Sequence, residues 1–484
     1  METTRQNTGH EIKGAPQIIT TNTILIVLFI VASMALATLL LLPHPFSFVP
    51  IAVVFGIVFL IGTFKYPMFG ILCYMVFFFF KPQEFIYSLS TSGAPLEKIL
   101  GLVVILSLLL NMAVYKRKKE IYYMDYAVIG LLAVVTLSIL WSDDMTLAKD
   151  TYMRFLPTIL VYFFVSRIAD SEPKVQLIIW MYALSVAFIA AYSTISYYRG
   201  IYIIRMGIAR AIGPGSSYSD PNSMAASLIL GIPFIFNLIR SHKSIILRLG
   251  LLAMLGVCIW TVVLTGSRSG MVSTILVLMI LAFQTRYKIA ATIIAVIIVG
   301  GVALVMPEQY IGRFESIFEI SEEDETGAGA SALGRVEGLM AGIEMFMRRP
   351  LTGVGVGNFR IAHRAMGGPA TDAHNLLGKL VGELGLLGLI SFTFFIVATV
   401  KYLKYIKKKY KEQGWKPDFI YYTRNAIIAT LIMLFVFGIS GHNLYRYNWY
   451  ISACYALILV NLTDKKISGK RTEADIADGH KSNQ

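Results

Sequence analysis

The chain has 484 residues, 56% of them hydrophobic and only 15% charged, with a formal net charge of +14. A soluble protein of this length divides into two or three domains with about 25% charged residues; this one is too apolar for water alone, so lipid must take over part of its solvation. Three cysteines, Cys73, Cys258 and Cys454, all within apolar runs, exclude a disulfide scaffold and read as small core hydrophobes.

A transmembrane helix needs about 20 apolar residues to cross roughly 30 Å of hydrocarbon. In chain order such runs fall at 22–43, 46–64, 67–80, 97–115, 123–141, 155–168, 175–197, 222–240, 248–265, 270–285, 287–306, 384–402, 419–439 and 446–462. Those at 67–80, 155–168 and 270–285 are the shortest. The run at 22–43 exceeds the roughly 7–15 apolar residues of a cleaved signal, so it is expected to stay as a first span. The expected fold is an all-α, polytopic transmembrane bundle of about 12–14 spans with one long extracytoplasmic loop containing short helices. It divides into an N-terminal bundle (1–197), a core (198–440) that includes the loop 307–383, and a last span with a basic tail (441–484).

Charge orients the bundle through the excess of Lys and Arg on cytoplasmic loops. With the N-terminus inside, the cytoplasmic face holds 27 Lys+Arg against 12 Asp+Glu, and the outer face 16 against 17. The excess of +14 is therefore topogenic and does not signal a nucleic-acid partner. Both termini fall inside. Of the outer basic residues 12 are Arg and 4 are Lys, and Arg is the better residue for bidentate contact with phosphate or carboxylate.

Familiar nucleotide and metal motifs are missing. There is no Gly-x-x-x-x-Gly-Lys loop, no His-Glu-x-x-His and no Asp-x-Asp. Gly266-Ser-Arg-Ser-Gly270 has Arg268 where a nucleophile elbow needs Ser. Gly353-Val-Gly-Val-Gly357 reads as a turn where backbones pass closely. Of the seven histidines, His44, His363, His374 and His442 face outward on this topology, without the carboxylate or Cys set of a metal site.

His374 has the most informative surroundings. Asp372 is a plausible helix cap, which puts His374 in the first turn, where the dipole disfavours imidazolium and a neutral imidazole can act as general base. Gly378 and Gly382 make a small-residue face, while Glu383 falls about 180° away on a 3.6-residue helix and cannot orient His374. A histidine that merely caps the helix is the competing reading. Arg268, between two apolar runs, is either a phosphate ligand or an interfacial anchor. Arg205 and Arg210, in the segment before Ser219-Asp-Pro-Asn222, are either anion ligands or solvated loop residues. Residues 331–349 read as an amphipathic helix, with Leu333, Val336, Met340, Ile343 and Met347 on one face and Arg335, Glu337, Glu344 and Arg348 on the other. Arg360 and Arg364 follow the glycine turn.

Thr265-Gly-Ser-Arg-Ser-Gly270, Ser331-Ala-Leu-Gly-Arg335, Arg349-Pro-Leu-Thr-Gly-Val-Gly-Val-Gly-Asn-Phe359, and Asp372-Ala-His-Asn375 with Gly382-Glu-Leu-Gly385 together resemble the O-antigen ligase and polymerase superfamily, over roughly residues 200–440. The resemblance implies a multi-pass glycosyltransferase of the bacterial inner membrane, working on the periplasmic side without nucleotide, metal or other cofactor. Its donor would be a polyprenyl-diphosphate-linked glycan, and its acceptor a second glycan, lipid A core or protein. His374 would be the general base, with Arg268, Arg210, Arg360 and Arg205 at the diphosphate, and Asp372, Asn375, Arg335 and Glu383 in support. Transfer would be inverting. A polysaccharide flippase or secondary transporter is the alternative, but it would place ionisable residues near mid-membrane, and these runs carry almost none.

Overall fold

The chain is described by a computed structural model over residues 49–80, 96–114, 121–205, 207–215, 218–304, 306–315 and 328–481. The expected first span at 22–43 lies outside the described residues. Every apolar run from 46–64 onward falls on a helix. In order these are α1 (Val49–Lys65), α2 (Pro67–Phe80), α3 (Leu96–Val114), α4 (Tyr123–Leu137, continued by a 3-10 turn Ser138–Trp141), α5 (Met145–Ile168) and α6 (Glu172–Tyr198). A short hairpin, β1 (Ile203–Arg205) and β2 (Ile208–Arg210), follows, and then α7 (Pro221–Ser241), α8 (Ile245–Leu264), α9 (Arg268–Phe283) and α10 (Lys288–Leu304). The segment 307–383 carries α11 (Glu308–Glu315), α12 (Ala328–Arg348) and α13 (Phe359–Ala365). The chain ends with α14 (Leu376–Glu412), α15 (Phe419–Ser440) and α16 (Tyr447–Lys481).

The fold is thus an all-α polytopic bundle. Among the described residues six helices are long and apolar enough to cross a membrane: α4 with its 3-10 extension, α6, α7, α8, α14 and α15. The starts are set by local chemistry. Asp144, Asp220, Ser267 and Asp418 each accept a hydrogen bond from a backbone N–H three residues on, and so cap α5, α7, α9 and α15. That cap extends α5 to 24 residues, well beyond the run 155–168, because its first turns carry exposed Lys149, Asp150 and Arg154. Hydropathy alone misses such an amphipathic start.

α16 threads the centre of the bundle. Trp449, Tyr450, Tyr455 and Leu459 are almost fully buried, packed with Phe392 and Phe395 of α14, Phe155 of α5 and Phe234 of α7. Outside this core the apolar surface stays open: Ile61, Leu109, Ile246, Ile289 and Ile439 are all more than half exposed. In water such a surface would aggregate, whereas in a bilayer it is the ordinary lipid contact.

α14 is two helices merged across a break. Gly385 has φ 59° and ψ −152°, outside the helical region. The break leaves backbone groups that the turn 350–355 satisfies. Leu386 and Leu387 donate to the carbonyls of Pro350 and Leu351, while Val354 and Gly355 donate to the carbonyls of Gly382 and Glu383. This needs backbones in contact. A Cβ on Gly385 would lie 2.7 Å from Gly353 N, and one on Gly353 would lie 2.5 Å from Gly382 O. The close-passing turn expected at Gly353–Gly357 is here, with all three glycines at positive φ. Its far side is tied to the corner after α4: Trp141 Nε1 donates to Thr352 O, Asn358 exchanges hydrogen bonds with the backbone of Asp144, and Arg349 pairs with Asp143 at 2.9 Å.

Candidate active site

Three chain segments converge at the end of the bundle that carries the hairpin and the segment 307–383. The first is the α8–α9 corner. Gly266 takes φ 56°, Ser267 caps α9, and Arg268 becomes the first helical residue, half-buried. The corner is held from behind by Arg210, which is 1% exposed: its Nε donates to Thr265 O at 2.6 Å and its Nη2 to Asn222 Oδ1 at 2.9 Å. Tyr310 of α11 joins them, donating to the carbonyls of Ala209 and Leu264.

The second segment is α12, which runs against the first half of α14 through glycine. A Cβ on Gly338 would meet Ala373 O at 2.1 Å, and one on Gly342 would meet Gly378 O at 2.4 Å. The apolar face, Leu333, Val336, Met340, Ile343 and Met347, is exposed, and Gly338, Ala341, Gly342 and Met345 are buried. Two helix backbones that touch leave no room for large side chains between them. The contact fixes Arg335, which is half-buried beside Arg268. Burial and the neighbouring Arg268 charge both lower its proton affinity from the usual guanidinium value. A negatively charged group near these two guanidiniums would be favoured by both.

The third segment is 372–375. The cap of α14 is Asn375 rather than Asp372: Asn375 Oδ1 accepts from Gly378 N at 2.6 Å, and its Nδ2 donates to the carbonyl of Arg335 at 3.1 Å. The helix begins at Leu376, so His374 precedes it instead of lying in its first turn. His374 takes φ 50°, the one non-glycine residue at positive φ among the described residues, with an exposed side chain. The cap thus ties His374 to α12 directly beside Arg335.

Asp372 faces the other way. Its Oδ1 accepts from Lys379 Nζ at 2.7 Å, and its Oδ2 lies 3.7 Å from His442 Nε2. Lys379 also pairs with fully buried Glu383 at 3.3 Å, and Glu383 Oε2 accepts from Tyr445 OH at 2.7 Å. Burial works against the Asp372 carboxylate, but Lys379, His442 and His374 outweigh it and hold the carboxyl below its usual range. The His442 and His374 rings are 5.9 Å apart. Glu383 does not reach toward His374; it anchors Lys379 and Tyr445 instead.

The remaining expected residues stand apart. Arg205 is exposed and pairs with Asp220 at 3.3 Å, while Arg360 is exposed and donates to Ala370 O. His363 is buried against Phe359, with Glu337 at 3.9 Å. Among the described residues no group of three or more His, Cys, Asp or Glu is placed to hold a metal. From Arg268 one face of α9 continues through Met271, Ile275 and Leu278, which line an apolar crevice shared with Ile259 of α8 and Ile298, Val299 and Val302 of α10.

Sequence reasoning did not single out Lys379, His442 and Tyr445. Their only local signal is a charge inside an apolar helix start and a polar pair just beyond a span.

A family model described as O-antigen ligase matches residues 252–393, a segment that contains Arg268, Arg335, Arg360, Asp372, His374, Asn375 and Glu383. No curated protein matches the chain.

Proposed function

We propose that this chain, of which a family model described as O-antigen ligase matches residues 252–393, is an inverting glycosyltransferase of the O-antigen ligase and polymerase superfamily that moves a glycan from a polyprenyl diphosphate to an acceptor hydroxyl on the periplasmic face of the inner membrane. The observation that carries this reading is the juxtaposition of Arg268 and Arg335 beside His374. Paired guanidiniums suit the two phosphates of such a donor, and they stabilise the charge that grows on the diphosphate as the glycosidic bond breaks. His374, exposed at the rim, takes the proton from the acceptor oxygen that attacks the anomeric carbon. A single displacement of this kind needs one base and no protein nucleophile.

Arg210 is assigned a positioning role, since its guanidinium is committed to Thr265 and Asn222 and so fixes the corner that presents Arg268. Arg205 and Arg360, both exposed and away from the pair, are assigned no more than a general contribution of positive potential. Two outcomes of one assay separate the subclasses. Purified protein is incubated with a polyprenyl-diphosphate glycan, with and without a lipid A core acceptor. Growth of a lipid-linked polymer without lipid A marks a polymerase, and transfer only when lipid A core is present marks a ligase. Consumption of no donor under either condition, with the protein folded, overturns the glycosyltransferase reading in favour of a flippase or transporter.

A further inference from the structure

The connection between α15 and α16, residues 441–446, lies outside the segment matched to the family, yet it supplies one wall of the site. It is held rigidly. Asn443 Nδ2 donates to Leu434 O at 2.6 Å, Trp449 Nε1 donates to Asn443 O, and Arg446 Nη2 donates to Ser223 O at the start of α7. Within this connection His442 and Tyr445 reach the same polar chain from its two ends: His442 approaches Asp372, Asp372 holds Lys379, Lys379 pairs with Glu383, and Glu383 accepts from Tyr445. The chain of contacts closes through the three-residue step from 442 to 445. His442 is therefore held against a carboxylate, while its side chain stays partly exposed with its ring 5.9 Å from that of His374.

A catalytic imidazole works as a base when a third group orients it and steadies the imidazolium that forms. Among the described residues no carboxylate is paired with His374, while Asp372 Oδ2 lies 3.7 Å from His442 Nε2. We propose that His442, held by Asp372, is a second histidine of the transfer centre and receives the proton that His374 takes from the acceptor hydroxyl. This rests on the glycosyl-transfer reading above. The acceptor O–H bond breaks as the acceptor oxygen bonds to the anomeric carbon, and the electron pair of the anomeric carbon–oxygen bond leaves with the diphosphate. The proton passes from the acceptor to His374, on through one intervening water to His442, whose ring lies 5.9 Å away centre to centre, and is released to solvent when the product departs.

The groups facing His442 keep it ready for that role. Burial, Lys379 and His374 from the α14 side, and Arg446 from its own connection, oppose its protonation; Asp372 alone favours it, and the balance lies at about 4. The resting imidazole is neutral and can accept. A bound diphosphate would bring negative charge to the cleft and raise its affinity for the proton at the moment of transfer.

The test uses full-length protein in nanodiscs and, as donor, the lipid-linked glycan that accumulates in cells lacking this chain. Transfer is followed across pH 4–9 for the wild type, His442→Ala, His442→Asn, Asp372→Asn, His374→Asn and the His374→Asn/His442→Asn pair. We expect the two His442 variants to lower kcat about 10–100-fold, toward the low end of the contribution of acid–base catalysis. KM for donor should stay within about 2-fold, and the acidic limb of the kcat profile should move. Asp372→Asn should move the same limb, and the double variant should be no slower than His374→Asn, since both residues handle one proton. Either His442 variant keeping full kcat with an unchanged profile overturns the relay and leaves glycan transfer standing. So does a fall in kcat with unchanged profile and a matching loss of thermal stability, which marks a purely structural residue. Failure of the wild type itself to consume the donor would instead count against the glycosyl-transfer reading.

Discussion

Two polar clusters of the bundle, one around Asp125 at the start of α4 and one around Arg335 and His374, are built on different terms. In the first, Asp125 is 1% exposed and fully used: Oδ2 accepts from Arg167 at 2.6 Å and from Tyr122 N, and Oδ1 accepts from Tyr162 OH. Arg167 also donates to Ser166 and lies over the rings of Tyr122 and Phe163. Each charge there has an opposite charge or a ring to meet. In the second, Arg335 stands beside Arg268 with repulsion between them, and two imidazoles face each other across a cleft. The first cluster closes on itself and stabilises the fold; the second holds the residues to which transfer is assigned above.

The sharpest way to break this contrast is at His374. His374→Asn keeps a residue that tolerates positive φ and removes the base, so transfer should fall about 10²–10⁴-fold with little change in thermal stability; an active variant would end the base assignment. Arg268→Ala should cost about 10²–10³-fold in kcat, with Arg268→Lys in between, because an ammonium restores charge but not the bidentate contact. At the opposite cluster Asp125→Ala should leave kcat per folded molecule unchanged. Its effect falls on stability, about 3–5 kcal/mol for a buried pair that loses one partner, measured by thermal or denaturant unfolding in detergent. Arg360→Ala and Arg205→Ala should change transfer less than about 2-fold, in line with the small worth of exposed charge contacts; a loss as large as that of Arg268→Ala would move them into the diphosphate site.

The smallest effect is a pH dependence. The proton affinity of His442 is lower in the folded chain, at about 4, than in the unfolded chain, near 6.5. As pH falls through that window the unfolded chain takes up the proton and the folded chain does not, so stability declines until about pH 4 and then levels. Asp372, held below its usual range, contributes in the same direction: its stabilisation is present above the unfolded carboxylate value and is lost as pH falls through its lower folded value. His442→Asn should flatten the upper part of this acid loss and leave the Asp372 part. An unchanged melting curve between pH 4 and 6.5 would place His442 in an ordinary solvated setting.

The helices were legible because a bilayer demands runs of apolar residues, and such runs cannot be disguised. The close approach next to His374 was legible because residues 378 and 382 are small, and that approach is the contact with Gly338 and Gly342. At α12 the packing face escapes the hydrophobic pattern. Periodicity counts large apolar side chains, while the packing face there is glycine and alanine, which weigh little in any hydrophobic pattern. Asp372 and Asn375 are both good caps three residues apart, and only the carbonyl of Arg335, brought in by the fold, selects Asn375. His442 lies 70 residues from Asp372, and nothing local to it points to a carboxylate.

The break at Gly385 has a consequence for how the protein is made. The second half of α14 can enter the membrane as an ordinary helix with its own hydrogen bonds complete. The first half cannot settle until Pro350–Gly355 reaches it, since that turn supplies the partners for the backbone groups on both sides of the break. Insertion of the spans and assembly of the site are thus separable events, and the site should be the later one. A chain whose turn is altered at Gly353 would still integrate and travel with the membrane, carrying an intact bundle under an unassembled centre.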